Sequence, residues 1–146
     1  MYFEDFVTGK QALTPERKIT AIDLDAFLDL ARLHLPMFVS DEGAQQIGHR
    51  QRLVPGPMTL CVTMGLVKEI GWFDHVVAVI AFDELRFERA LHPGHSVKAE
   101  ITVISTKPTQ NPKRGLVVLA FKVVNQNDET VLSARAKYLV QTRPQS

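Results

Sequence analysis

The chain has 146 residues, 45% of them apolar, and its 17 basic side chains nearly balance its 16 acidic ones. That length suits one domain with a hydrophobic core, and the balanced charge argues against a disordered tail or a strong nucleic-acid binder. No apolar run approaches the ~20 residues of a membrane span, and the single cysteine, Cys61, can form no internal disulfide. We therefore expect residues 1–146 to form one domain in the reducing cytoplasm, with no membrane or nucleic-acid partner.

The first predicted element is an amphipathic helix. Thr20 and Asp23 resemble a capping box, with Asp in the place of the usual Glu. Behind them, apolar residues recur at helical spacing, namely Leu24, Phe27, Leu28, Ala31 and Leu35. We expect Pro36 to end this helix, because the proline ring disfavours helical geometry in the residue before it.

A second helix is predicted to begin at Gly56–Pro57, because proline is favoured at the first helical position. It should run to about Ile70 and stop at Gly71, since glycine is common just past a helix end. Apolar side chains cover nearly every face of this segment: Leu60, Cys61, Val62, Met64, Leu66 and Val67. Such a helix is predicted to be enclosed on all sides.

The rest of the chain is predicted to form strands. Four segments show apolar runs or alternating apolar and polar residues: "HVVAVIAFDELRFER", "SVKAEITVIS", "GLVVLAFKVVN" and "TVLSARAKYLVQT". Turn-forming residues separate them, which predicts an antiparallel meander, and the N-terminal "FVTGKQALTPERKIT" could add one or two edge strands. The fold class is therefore α+β, with a long antiparallel sheet curled around one central helix.

Four stretches resemble the MaoC-like hotdog-fold family, typified by (R)-specific enoyl-CoA hydratases and 3-hydroxyacyl-thioester dehydratases. They are "YFEDFVTGK", "KITAIDLDAFLDLAR", "LRFERALHPGHSVKAEITV" and "LVVLAFKVVNQNDETVLSARAKYLV", with His95 where the family usually has Asp. The resemblance implies a hotdog fold, a dimer whose two sheets join, and acyl-CoA or acyl carrier protein thioesters as ligands. No cofactor or metal is expected.

The catalytic motifs of that family are not preserved. Its hydratases carry D-x-N-P-x-H after the first helix and A-H-G at the start of the central helix. Aligned through the proline, the Asp, Asn and His positions are Leu33, Leu35 and Phe38. The histidine of A-H-G falls at Pro55, and only its glycine is kept, as Gly56.

These replacements remove the acid/base groups that hydration needs. Adding water to an enoyl thioester requires a base for the water, a proton donor and hydrogen-bond donors to the thioester oxygen. Leu33 and Phe38 can neither accept nor deliver a proton. The N–H of Gly56 remains as an oxyanion donor at a helix N-terminus, where the helix dipole favours developing negative charge.

Three side chains near the altered motif are candidate replacements for the lost acid and base. His34 could face the cleft if the loop is shifted by one residue, although a hydrogen-bonded structural histidine is an alternative. Asp41 and His49 lie on the long connection before Gly56 and could supply chemistry from a loop, or could simply be solvated.

Other residues are candidates for binding the substrate. Leu33, Phe38 and Met58 could line a pocket for an apolar tail, and core packing explains them equally well. Arg50 and Arg52 could contact the phosphates of coenzyme A. Three groups are interpreted structurally: Cys61 as a small apolar filler, Lys107, Lys113 and Arg114 as soluble turn residues, and His92 and His95 as turn residues without metal-ligand spacing.

Three functions follow from these features. The first is a MaoC-like hydratase or dehydratase with an altered active site, using His34 or a group from the connection that carries Asp41 and His49. The second is a non-catalytic hotdog subunit that binds the acyl chain beside an active hotdog partner. The third is an acyl-CoA thioesterase, which needs only an activated water and the oxyanion donor. The assembly is expected to be a homodimer or a heteromer with a second hotdog protein.

Overall fold

A single antiparallel sheet organises the computed structural model, which describes residues 1–145. Its six strands are β1 (Gln11–Leu13), β2 (Arg17–Lys18), β3 (Val76–Phe87), β4 (Ser96–Pro108), β5 (Arg114–Asn125) and β6 (Thr130–Gln141). Four α-helices occur in the described chain: α1 (Ala21–Ala31), α2 (Pro36–Val39), α3 (Asp41–Gln45) and α4 (Gly56–Glu69). A short 3-10 helix, Phe3–Asp5, precedes β1.

The strand order is β1-β4-β5-β6-β3, with β2 also pairing with β4. The prediction of N-terminal edge strands is confirmed, and the meander holds from β4 to β6. The prediction that β3 would be the neighbour of β4 is wrong, because β3 pairs with β6 on the opposite edge of the sheet. The edge of β4 that a β3–β4 hairpin would need is occupied by β1 and β2.

Helix α1 begins as predicted and ends earlier. Thr20 and Asp23 form a capping box in which the hydroxyl of Thr20 accepts from the Asp23 N–H at 3.1 Å. The helix stops at Ala31, because Arg32 adopts a left-handed conformation with φ of 53°. Pro36 therefore does not end α1 but occupies the first position of α2. Leu35, which was predicted on the apolar stripe of this helix, lies beyond its end and is exposed.

Helix α4 has the predicted start and is followed by Ile70 and Gly71, but it is not enclosed on every face. Its buried side chains are Met58, Thr59, Val62, Thr63, Leu66 and Val67. Pro57, Cys61, Gly65 and Lys68 are exposed within the described chain. The apolar pattern overestimated burial because α4 packs on the sheet with one side only.

The core joins α4 to both α1 and the sheet. Val62 and Leu66 pack in one cluster with Leu24 and Leu28 of α1, while Val67 belongs to a second cluster with Tyr138 of β6. Among residues 1–145, no helix has both the length and the apolar character needed to cross a membrane. The packing of α1 and α4 on the sheet fixes where the N-terminal end of α4 emerges.

Replacing Thr20 by alanine is expected to lower the free energy of unfolding by about 1 kcal/mol, because the first turn of α1 loses a side-chain acceptor. Chemical denaturation of the purified chain measures the change. Thr20→Ser keeps the hydroxyl and is the control, expected to stay close to the wild-type value. Equal destabilisation by both variants would contradict a capping role for the hydroxyl.

Candidate active site at the N-terminal end of helix α4

A cavity of about 310 Å³ lies at the N-terminal end of α4. Most of its lining is apolar: Phe38, Leu53, Val54, Gly56, Pro57, Phe87, Ala90, Leu91 and Val131. The remaining lining residues are Thr59 and Arg89. Two other depressions lie over strands, one on β1 and β4 and the other on β3, β5 and β6. The cavity at α4 is therefore the one that combines an apolar wall with a helix N-terminus.

Gly56 presents the free amide of the first helical turn. The N–H groups of Met58 and Thr59 both donate to the Pro55 carbonyl oxygen, at 3.0 and 3.2 Å. Pro57 carries no N–H, and a residue at the first helical position has no acceptor within its own helix. The amide of Gly56 is thus available to a ligand carbonyl, with the positive end of the helix dipole behind it.

The ring of Phe87 lies directly against Gly56. A Cβ atom added at Gly56 would fall 2.6 Å from two carbons of this ring, so only glycine fits without a shift. A bulge in β3 precedes the contact: the register with β6 breaks between Asp83 and Arg86, and Glu84 has φ of 54°. Beyond the bulge, Phe87 pairs with the core residue Leu132, so this side chain turns toward the cavity.

Two polar residues of the cavity were missed by sequence reasoning. Thr59 is buried on α4, and the apolar residues around it in the sequence hid its role. Its position three residues after Gly56 places it near the start of the helix. Arg89 follows β3 and makes an ion pair with Glu129 at 3.1 Å, with about half of the arginine side chain exposed. No periodic or motif signal in the sequence points to Arg89.

The three predicted acid/base residues lie outside the cavity lining of the described chain. His34 is on the outer surface, where Nε2 lies 2.8 Å from Oδ1 of Asp29. Asp41 is exposed, and its Oδ1 accepts from the Arg52 N–H at 2.9 Å. His49 is half-buried beside His92. A catalytic role for these residues stays a prediction, and this geometry does not bring them to Gly56.

The predicted apolar binding residues separate into two groups. Phe38 is 8% exposed and lines the cavity. Leu33 and Met58 pack in the adjoining hydrophobic core and are not among the lining residues. The resembling hydratases carry Asp and His at these two positions. In this chain, Leu33 packs against the core and Phe38 lines the cavity.

The two predicted phosphate-binding arginines also differ. Arg50 is exposed, whereas the Arg52 side chain is only 15% exposed and is held by three partners. Its Nη1 lies 2.7 Å from Oδ1 of Asp25 and 3.2 Å from the Val39 carbonyl oxygen, and its Nη2 donates to Ala21 O. The hydrogen bond from Arg52 lowers the pKa of Asp25. These contacts tie the connection before α4 to α1 and α2.

A histidine cluster lies behind the cavity wall. His92 and His95 flank a turn, as predicted, with Gly94 at φ of 93°. The structure adds His49, because its ring centroid lies 5.9 Å from that of His92, which lies 5.3 Å from that of His95. Burial lowers the pKa of His95, with a smaller contribution from His92. No three His, Cys, Asp or Glu side chains within residues 1–145 are arranged to hold a metal ion.

Comparison with known proteins supports the resemblance seen in the sequence. No protein-family model matches the chain. Protein MaoC of Klebsiella aerogenes is 28% identical over 101 residues, covering 69% of this chain. The matched region is 30% of MaoC, so the chain spans less than a third of that relative. The predicted similarity to MaoC-like proteins is confirmed.

Solved structures show the same fold. A MaoC-like dehydratase from Rhodospirillum rubrum superposes with a TM-score of 0.87 at 23% identity, with 99% of both chains covered. A Mycobacterium tuberculosis protein with a double hotdog fold superposes at 0.81 and 23% identity, over all of this chain and 46% of the other. An (R)-hydratase from Pseudomonas aeruginosa and a 3R-hydroxyacyl-ACP dehydratase complex from Mycobacterium tuberculosis both reach 0.76. The predicted α+β hotdog fold is confirmed.

Replacing Arg52 by alanine is expected to lower the free energy of unfolding by about 2 kcal/mol, because its carbonyl partners and Asp25 lose their donor. Arg50→Ala is the matched control, two residues away and exposed, and should change stability by no more than about 0.5 kcal/mol. Denaturant titration of both variants makes the comparison. A similar small effect at both positions would contradict the anchoring role of Arg52.

Proposed function

We propose that this chain binds an acyl thioester at the N-terminal end of α4 as a hotdog subunit without its own acid/base pair. Residues 1–146 act as one domain in this proposal, in a cytoplasmic setting. The catalytic Asp and His are supplied by a second hotdog chain in the same assembly. The similar proteins include a MaoC-like dehydratase and an (R)-hydratase, which makes hydration or dehydration of the thioester the reaction that the assembly would perform.

The lining of the cavity is the observation that carries this proposal. Within residues 1–145 it contains no carboxylate, imidazole or thiol. It does offer the N–H of Gly56, which can donate a hydrogen bond to the carbonyl oxygen of a thioester, and the hydroxyl of Thr59 on the same helix. Binding needs such donors, whereas hydration also needs a group that moves protons. The geometry therefore favours a subunit that binds over one that catalyses alone.

The size and character of the cavity favour a short apolar acyl group. Small-molecule sites usually occupy roughly 300 to 1,000 Å³, so a cavity of about 310 Å³ is at the lower limit. Phe38, Leu91 and Val131 provide an apolar wall for the tail. The carrier, coenzyme A or an acyl carrier protein, would extend outward from the thioester. The apolar wall therefore does not discriminate between these two carriers.

The free edge of the sheet supports pairing with a second hotdog chain. Strand β3 has β6 on one side and lies at the end of the described sheet, so the backbone groups along its other edge are open to another strand. Val77, Val79 and Ile80 on this strand are between 40% and 53% exposed. A long apolar edge strand is normally covered by another chain. The 3R-hydroxyacyl-ACP dehydratase complex offers a structural parallel for a heteromer.

One experiment separates the three functions. The purified chain is titrated calorimetrically with butyryl-CoA and incubated with crotonyl-CoA, alone and after co-expression with a hotdog protein that carries D-x-N-P-x-H. We expect binding without turnover by the chain alone, and hydration by the mixture. Hydration by the chain alone, lost in His34→Ala, would support the altered hydratase instead. Release of free thiol would indicate a thioesterase, and failure to bind either thioester would overturn the proposal.

Gly56→Ala is expected to weaken butyryl-CoA binding at least about tenfold, because the added methyl group must displace the ring of Phe87 beside the amide. Gly65→Ala on the same helix is the matched control, since a Cβ there meets no atom within 4 Å. Calorimetry measures both affinities, and circular dichroism confirms that both variants fold. If folded Gly56→Ala binds as tightly as Gly65→Ala, the amide is not the carbonyl site.

A further inference from the structure

Two segments of the cavity wall are joined to each other by hydrogen bonds. One segment is the end of the connection before α4, with Leu53 and Val54, and the other precedes the β3–β4 turn, with Ala90 and Leu91. The Val54 N–H donates to the Leu91 carbonyl oxygen at 2.8 Å. A second hydrogen bond joins the residues next to these segments: Nδ1 of His92, which follows Leu91, lies 3.0 Å from the carbonyl oxygen of Arg52, which precedes Leu53. These two hydrogen bonds connect the segments across the wall.

The protonation state of His92 follows from its partner. A carbonyl oxygen can only accept, so Nδ1 of His92 carries the hydrogen, and a neutral ring leaves Nε2 unprotonated. A second proton on Nε2 would keep the bond and add a positive charge. Protonation of His92 would therefore add charge without breaking its own hydrogen bond, and any loosening must come from its neighbours.

Two other histidines lie next to His92, near the hydrogen bonds that join the two segments. The His49 ring belongs to the connection and the His95 ring to the turn, at centroid distances of 5.9 and 5.3 Å from His92. Nδ1 of His95 is buried and has no hydrogen-bond partner in the described structure. A proton there would lack an acceptor, and charges on adjacent rings would repel each other.

The surrounding charged groups do not compensate this repulsion. Within residues 1–145, the one histidine in an ion pair is His34, on the far side of α1. The Arg52 guanidinium is paired with Asp25, and the Asp41 carboxylate accepts the Arg52 backbone N–H. Strand β2 pairs with the start of β4 and carries the cations Arg17 and Lys18, of which Arg17 is paired with Asp23. The connection carries one more cation, Arg50. No carboxylate in the described chain is within ion-pair distance of the three rings.

We propose that His49 and His92, with His95 packed beside them, form a pH-sensitive latch on the cavity wall, closed while the rings are neutral and loosened when His49 of the connection and His92 of the turn both carry a proton. Repulsion between the turn and the connection then acts on the joint between Val54 and Leu91. The cavity opens at mildly acidic pH while the hotdog core stays folded. This device is a property of the wall itself and stands whether or not the cavity binds an acyl thioester.

Amide hydrogen exchange of the full chain tests the latch without any ligand. The exchange rate of the Val54 amide is measured by NMR from about pH 7.5 to about pH 5.5, the range in which histidines titrate, and is corrected for the intrinsic pH dependence of exchange. The amide of Ala99, which donates to the Thr14 hydroxyl in the core, reports global unfolding. We expect the corrected Val54 rate, relative to Ala99, to rise about tenfold in acid.

His92→Gln is expected to abolish this rise, because its amide group can donate to the Arg52 carbonyl oxygen but cannot become charged. His49→Gln provides an independent test if the first substitution disturbs the turn, and should reduce the rise. His34→Gln is the matched control and should behave as the wild type. A flat wild-type profile, or an unchanged rise in both His92→Gln and His49→Gln, would overturn the latch.

Discussion

The contact between Gly56 and Phe87 is the constraint on which the candidate site depends. Helix α4 can start at this point of the sheet only because residue 56 has no side chain, and the bulge in β3 brings the aromatic ring against it. The same contact places a free amide and an aromatic wall in one cavity. A bulge costs ladder hydrogen bonds and holds Glu84 in a left-handed conformation, a distortion often found next to functional sites.

Around this contact, polar chemistry has been replaced by packing. Leu33 contributes to the hydrophobic core and Phe38 is a buried wall, at positions where the resembling hydratases carry their acid and base. Burying a carboxylic acid or an imidazole costs free energy unless each has partners, whereas leucine and phenylalanine gain from burial. The exchange should favour stability over chemistry, and it leaves the helix N-terminus as the part of the candidate site that offers hydrogen-bond donors.

The connection between α3 and α4 is anchored at Arg52. Arg52 ties it to α1 through Asp25 and the Ala21 carbonyl group and to α2 through the Val39 carbonyl group, and His92 binds its backbone. Arg52, for which the sequence also allows phosphate binding, anchors the connection in this structure, and His92 of the predicted turn contacts its backbone. The sequence alone does not separate these roles, because Arg and His side chains serve structural and functional roles with the same hydrogen-bonding groups.

The sequence by itself determined the local elements of this protein. The capping box at Thr20, the start of α4 at Gly56 and the strand periods are short-range signals, and the quoted motifs were sufficient for the hotdog fold. Tertiary structure alone decided that β3 pairs with β6, that α4 exposes Cys61, and that His34 lies on the outer surface while Thr59, Phe87 and Arg89 reach the cavity. Strand partners and cavity walls depend on contacts between residues far apart in the chain, and no periodicity within a segment encodes those contacts.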